Sequence, residues 1–327
     1  MMRTMLGLLL VPFFWLAPAH AHEIRPAYLE LTEQADGIYD VLWKQPVNRG
    51  RRLALDPILP RACRETVGRR GETIGTSLIT RWQVACDLRQ GEIRVSGLGR
   101  TLTDVIVDVN YHDGRHVTQM LKPGAPVLSL SKNKGGTRNA AYLQLGIEHI
   151  LFGFDHLMFI AGLVLLAKLR QLISVATAFT LAHSLTLGAT ALGFVRVPTA
   201  PVEIMIAVSI VLLAAEAVRA MRGQTSLAVR NPWILAFGFG LLHGFGFATA
   251  LGGIGLPKGS ELSALFLFNL GVEMGQVIFI LALLAFAWLI RQAAPRRLSA
   301  VRVLTAYTIG ALAMFWTLQR IAGTYFT

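Results

Sequence analysis

The chain has 327 residues, of which 54% are hydrophobic and only 15% charged. Apolar runs fill most of the chain after residue 140, so it reads as a polytopic membrane protein with a soluble part in front. The net charge of +12 does not point to nucleic acid, because most Lys and Arg beyond residue 140 sit at the ends of apolar runs, where the positive-inside rule puts them.

Residues 1–21 read as a secretory signal peptide: Arg3, an apolar run from Met5 to Leu16, then Pro18-Ala19-His20-Ala21 with small residues at the cleavage positions. Cleavage after Ala21 would make His22 the new N-terminus, whose amine and imidazole can chelate a divalent metal. Cleavage after Ala19 would give His20-Ala21-His22, which suits Cu(II) or Ni(II). The competing view is that histidines fall near a cleavage site by chance.

Residues 22–130 alternate in β fashion, as in Ala27-Tyr28-Leu29-Glu30-Leu31 and Asp104-Val105-Ile106-Val107-Asp108-Val109. Asp36-Gly37 and Asp113-Gly114 are hairpin-type turns, and the whole reads as a small exported β-sandwich-like domain. In a two-residue hairpin His112 would pair with Arg115 and His116 with Tyr111, leaving the two histidines on opposite sides as ordinary surface residues. Cys63 and Cys86 are the only cysteines. In an exported domain they can pair, closing a loop of about twenty residues worth on the order of 3 kcal/mol.

Residues 131–140 have the composition of a linker, and residues 141–320 form an all-α membrane domain. Six apolar segments are expected to cross, at 142–167, 171–194, 201–218, 232–251, 263–290 and 299–319. Starting outside, the cytoplasmic connections carry Lys168 and Arg170, then Arg219, Arg222 and Arg230, then Arg291, Arg296, Arg297 and Arg302. Outer connections carry only Arg196 and Lys258, with Arg320 near the end of the last span. Lys132, Lys134 and Arg138 oppose this orientation, but an exported domain translocates largely regardless of such charges.

The chemistry is concentrated in Glu148-His149-Ile150-Leu151-Phe152-Gly153-Phe154-Asp155-His156. Ionisable groups inside a span are costly and are functional candidates by default. On one continuous helix, positions seven apart return to nearly the same face, so His149 would stack over His156 and Glu148 beside Asp155. Gly146 and Gly153 would let another helix approach that wall. The second segment carries His183-Ser184, the third Glu203 and Glu216. The fourth holds His243 between Gly240 and Gly244, and the fifth puts Asn269, Glu273 and Gln276 on one stripe. Packing by interhelical hydrogen bonds is the bland alternative for each of these. Imidazole with carboxylate suits Ni, Co, Zn, Fe or Cu, while phosphate-binding glycine loops and nucleotide signatures are absent. The candidate ligands are therefore His149, Asp155, His156, His183, His243, Glu273, Glu148 and, in the exported part, His22.

The set His149-x5-Asp155-His156, His183-Ser184, His243-Gly244 and Asn269-Leu270-Gly271-Val272-Glu273 resembles the HupE/UreJ type of hydrogenase/urease accessory membrane protein, in its longer branch with an exported N-terminal domain. The resemblance covers most of residues 140–320. It implies a nickel or cobalt permease of the bacterial inner membrane, with the N-terminal domain periplasmic and metalloenzyme maturation proteins as partners. By it, His149, Asp155 and His156 would be metal ligands on the translocation path. Shorter members carry a second motif, Phe-His-Gly-x-Ala-His-Gly, and here Phe247 replaces its second histidine. Three functions remain in play. One is a divalent-metal permease. Another is an intramembrane zinc hydrolase with His156, His183 and His243 as ligands and Asp155 or Glu273 activating water. The third is a metal-binding accessory protein or sensor.

Overall fold

The computed structural model describes residues 26–131, 138–254 and 261–325, apart from residues 36, 49–50, 75–76, 102 and 196. The expected signal peptide with His20 and His22, most of the expected linker, and Arg196 and Lys258 lie outside the described residues.

The N-terminal part is built from β1 (Ala27–Ala35), β2 (Ile38–Asn48), β3 (Arg51–Arg52), β4 (Asp56–Ile58), β5 (Arg64–Ile74), β6 (Ser77–Ala85), β7 (Glu92–Ser96), β8 (Val105–Asn110), β9 (His116–Leu121) and β10 (Val127–Ser129). The larger sheet runs β5-β6-β2-β1-β8-β9, with β3 on β2, and the smaller runs β10-β7-β4. Alternation aims Leu29, Leu31, Val41, Trp43, Val107 and Val109 into a core shared with Ile93, Val95 and Leu128 of the smaller sheet. The β1–β8 pair is parallel, so these neighbours are joined by the long excursion through β2 to β7 rather than by a hairpin. β8 is buried on both faces: Val105, Val107 and Val109 face the smaller sheet, while Ile106 joins Tyr28 in a second cluster with the helices. Cys63 and Cys86 form the expected disulfide.

The β8–β9 turn differs from expectation by one residue. Asn110 pairs with His116 and the Tyr111 N–H donates to the Arg115 carbonyl, so His112-Asp113-Gly114 is a three-residue loop with Gly114 at φ 83°. Tyr111 fixes this register, because its ring is buried and its hydroxyl donates to the Leu88 carbonyl at 2.9 Å. A slip by one residue would turn that ring to solvent. Both histidines are exposed, as expected of surface residues.

The helical part comprises α1 (Arg138–Phe152), α2 (Phe154–Leu166), α3 (Leu172–Ala191), α4 (Thr199–Met221), the short α5 (Leu227–Arg230), α6 (Pro232–Ile254), α7 (Glu261–Ala293) and α8 (Leu298–Tyr325). The helices containing α3, α4, α7 and α8 are long and apolar enough to cross a bilayer. The first expected span is not one helix: α1 and α2 meet at 70°, and make a fifth crossing if the bent pair is a single span. α6 is apolar over a shorter stretch, Pro232–Phe247. The break falls at Gly153, whose φ of −79° and ψ of 94° are extended. A Cβ there would lie 2.6 Å from the His149 carbonyl oxygen and 2.7 Å from His156 Nδ1. Gly153 thus makes a corner, and the expectation that it opens a face for a neighbouring helix is corrected.

The other glycines named from sequence do set helix contacts. A Cβ on Gly146 would meet the Phe268 carbonyl oxygen of α7 at 2.0 Å, and one on Gly271 the Leu143 carbonyl oxygen of α1 at 2.1 Å. Gly240 lies against Phe179 and Gly244 against His183, so α3 and α6 run in the same direction, in step four residues at a time.

Candidate metal centre

The corner at Gly153 places the site. On a straight helix seven residues span about 10.5 Å, which would hold two side chains well apart. Here His149 ends α1, His156 opens α2, and their ring centroids are 4.5 Å apart. His183 of α3 lies 5.9 Å from His149 and 6.3 Å from His156, and His243 of α6 lies 4.9 Å from His156. One ring nitrogen from each of His149, His156 and His183 lies within 4.8 Å of the other two. Ligands at about 2.0–2.1 Å around a tetrahedral ion would sit about 3.3 Å apart, so modest ring rotations close the site.

The nitrogens are also left unspent. His149 Nε2, His156 Nε2, His183 Nε2 and both nitrogens of His243 are buried with no protein hydrogen-bond partner. Each such group costs on the order of 1–3 kcal/mol where nothing replaces water. His183 shows how one is held ready. Asn269 Nδ2 donates to the Leu265 carbonyl at 2.8 Å, so its Oδ1 faces His183 Nδ1 at 3.2 Å as an acceptor. Nδ1 therefore carries the proton and Nε2 keeps its lone pair for the cluster.

The walls are aromatic. Phe179 stacks on His183, Phe159 lies 5.2 Å from His243, and Phe247 lies 4.0 Å from His149 and stacks on Phe268 at 5.0 Å. The residue that departs from the two-histidine motif therefore sits against the cluster itself. An imidazole at 247 would be a neighbour of His149.

The carboxylates do not join the histidines. Glu148 and Asp155 were expected side by side; the corner sends them to different partners. Glu148 accepts from Gln144 and pairs with Lys122, at the end of β9. Asp155 pairs with Arg320 of α8 at 2.7 Å. Glu273 accepts from Thr177 at 2.7 Å, and Gln276 from Thr180 at 3.2 Å, so the α7 stripe faces α3 as an interhelical seam with Asn269 at the histidine end. Glu216 bonds Arg219 and Ser226, away from the cluster. Lys122, Arg320 and the walls Phe159, Phe179 and Phe268 are not singled out by sequence reasoning, whereas Phe247 is, as the departure from the two-histidine motif. Arg320 carries a signal, a cation inside the last apolar segment, but in the sequence it reads only as a marker of orientation.

The β part meets the helices close to this site. Tyr28 and Ile106 share an apolar cluster with Tyr142, Leu145, Phe247 and Phe268. At the rim of that contact burial pushes the Asp104 carboxyl up to about 6, with Glu148 adding to the rise and Lys122 opposing it.

Fold and site together define a polytopic membrane protein whose helices gather buried imidazoles at a broken helix. A family model described as HupE / UreJ protein matches residues 128–320, more than half of the chain, and the chain belongs to that family. No curated protein and no solved structure matches it.

Proposed function

We propose that the chain is a permease for a divalent transition metal, nickel or cobalt, which passes through the imidazole cluster between α1/α2, α3 and α6. The observation that carries this reading is the convergence of His149, His156 and His183, one ring nitrogen of each within 4.8 Å of the others, together with a buried Nε2 on each that has no protein partner. Neutral imidazole is a borderline ligand that suits Ni, Co, Zn and Cu, and membership of the HupE/UreJ family supports the first two. In the proposed arrangement the bent α1/α2 pair, α3, α4, α6, α7 and α8 make six crossings. The β part is periplasmic, and α8 returns the chain to that side. Reporter fusions after Arg222 and after Arg297 should then report cytoplasm, and a periplasmic signal at either contradicts this topology.

The hydrolase alternative gains no observation, since neither Asp155 nor Glu273 belongs to the group of converging ligand atoms at His149, His156 and His183. The test is metal content of the purified protein beside uptake of Ni(II) and Co(II) by cells expressing it. His156→Ala and His183→Ala should abolish both while the protein remains in the membrane, and Lys168→Ala, outside the cluster, should leave both intact. Uptake by His156→Ala and His183→Ala equal to that of the parent contradicts the permease. Metal binding without uptake in the parent would assign the cluster to an accessory or sensing role.

A further inference from the structure

The Asp155–Arg320 pair is out of place for a simple structural bridge. Arg320 lies in the last turns of α8 and is tied down twice: Nη1 donates to the Glu203 carbonyl at 2.8 Å and Nη2 to Asp155 Oδ2 at 2.7 Å. Both side chains are largely buried, at 11% and 20% exposure. The other carboxylate oxygen, Asp155 Oδ1, is buried with no hydrogen-bond partner. Asp155 directly precedes His156 in the first turn of α2, so this carboxylate and a cluster imidazole leave adjacent residues of one helical turn.

The charge balance follows. The histidines bring no negative charge, Glu148 is paired with Lys122, and Asp155 is neutralised by Arg320. A divalent ion among neutral imidazoles would add two positive charges beside a guanidinium, in surroundings that screen poorly. A carboxylate released by Arg320 would relieve that repulsion and supply an oxygen ligand.

We infer that Arg320 is a tethered cation that competes with the transported metal for Asp155, and so sets how tightly the cluster holds its ion. Arg320 is a positioning residue in this scheme: it touches Asp155, not the ion. With the cluster empty, Arg320 holds Asp155. With metal present, Asp155 turns toward the ion, and when the ion leaves, Arg320 takes the carboxylate back. Binding tight enough to select a transition metal is thereby kept weak enough to release it. This inference rests on the cluster being the metal site.

The experiment measures Ni(II) and Co(II) affinity of the full-length protein in lipid nanodiscs, by competition with a chromophoric chelator. Arg320→Gln should bind at least about tenfold tighter than the parent, which is about 1.4 kcal/mol, and Asp155→Asn at least about tenfold weaker. The double variant lacks the carboxylate for which Arg320 competes and should bind within about threefold of Asp155→Asn alone, and Arg320→Lys should stay close to the parent. Transport by Arg320→Gln should slow as its affinity rises. If Arg320→Gln is inserted and folded but binds no tighter, the inference is overturned. If Arg320→Gln fails to fold, the two proteins that carry Asp155→Asn decide: their affinities must agree within about threefold, and a double variant about tenfold tighter than Asp155→Asn alone, or an Asp155→Asn that binds as tightly as the parent, overturns the inference. A parent that binds neither metal, or a His156→Ala variant that binds as well as the parent, defeats the proposed metal site and this inference with it. A parent whose binding His156→Ala abolishes, with Arg320→Gln unchanged, defeats only the inference.

Discussion

Glu33 in β1 and His183 in α3 are both buried, at 7% and 0% exposure, and the molecule treats them in opposite ways. Glu33 spends both oxygens, accepting from the Gly37 N–H at 3.2 Å and the His112 N–H at 2.9 Å. Burial pushes its carboxyl up, but those two backbone donors, with Tyr39 and Arg89, outweigh it and hold the carboxyl below its ordinary value of 4.5. His183 spends one nitrogen on Asn269 and leaves the other without a protein partner, its ring beside those of His149 and His156. In the β part a buried polar group secures a turn. In the helical part buried polar groups are held in place but kept open, as expected where stability is exchanged for a binding site.

The largest expected break in this contrast is at the corner. Gly153→Ala would press a methyl against the His149 carbonyl and the His156 ring, and relieving the clash must move one of them. We expect metal affinity to fall by about a hundredfold, or about 2.7 kcal/mol, with the protein still inserted, as measured by chelator competition. Unchanged affinity would mean that the corner does not set the cluster.

Next comes Glu33. Glu33→Ala leaves two backbone N–H groups unmatched, and should cost the β part about 2 kcal/mol in denaturant unfolding. Because the folded carboxyl titrates below the ordinary 4.5, its stabilisation is complete above that value and is lost as the pH falls through the lower folded one. The variant's stability should therefore fall less steeply on acidification than the parent's. His243→Leu should behave in the opposite sense: no protein hydrogen bond is lost, so thermal stability should hold or rise by about 1 kcal/mol while metal binding weakens. A loss of stability as large as that of Glu33→Ala would show His243 to be a packing residue.

The smallest effect is at the seam between the two parts. Asp104 in the folded protein titrates near 6 instead of 3.8, so its native cost accumulates as the pH rises between those values and is constant above them. Asp104→Asn should stabilise the protein by about 1 kcal/mol at pH 7, after allowance for its partial exposure, and confer no advantage below pH 3.8. A thermal-shift series across pH 3.5 to 7.5 checks both ends, and equal gains at both would remove the electrostatic explanation.

Much of this was legible in the sequence, and what was not has a common cause. Alternating β runs, the two cysteines, the helical glycines Gly146, Gly240 and Gly244, and the four membrane histidines all act through local pattern or residue chemistry. The corner at Gly153 was hidden because a glycine in an apolar helical run reads equally as a close contact, and only the collision with His149 and His156 decides between them. The partners of the carboxylates were hidden because they are remote: Lys122 lies 26 residues from Glu148, and Arg320 lies 165 residues from Asp155. Periodicity placed Glu148 and Asp155 on one wall, and the tertiary fold separated them. The parallel β1–β8 pairing was hidden for the same reason, since no turn joins those strands.

The imidazole cluster itself is tested most directly by metal-edge X-ray absorption on the Ni(II)- or Co(II)-loaded full-length protein, parent beside His183→Ala. The expected spectrum has a first shell of nitrogen with the multiple-scattering pattern of about three imidazoles, reduced by one ring in the variant. A first shell of oxygen alone, or a spectrum that His183→Ala leaves unchanged, would contradict a metal site at His149, His156 and His183.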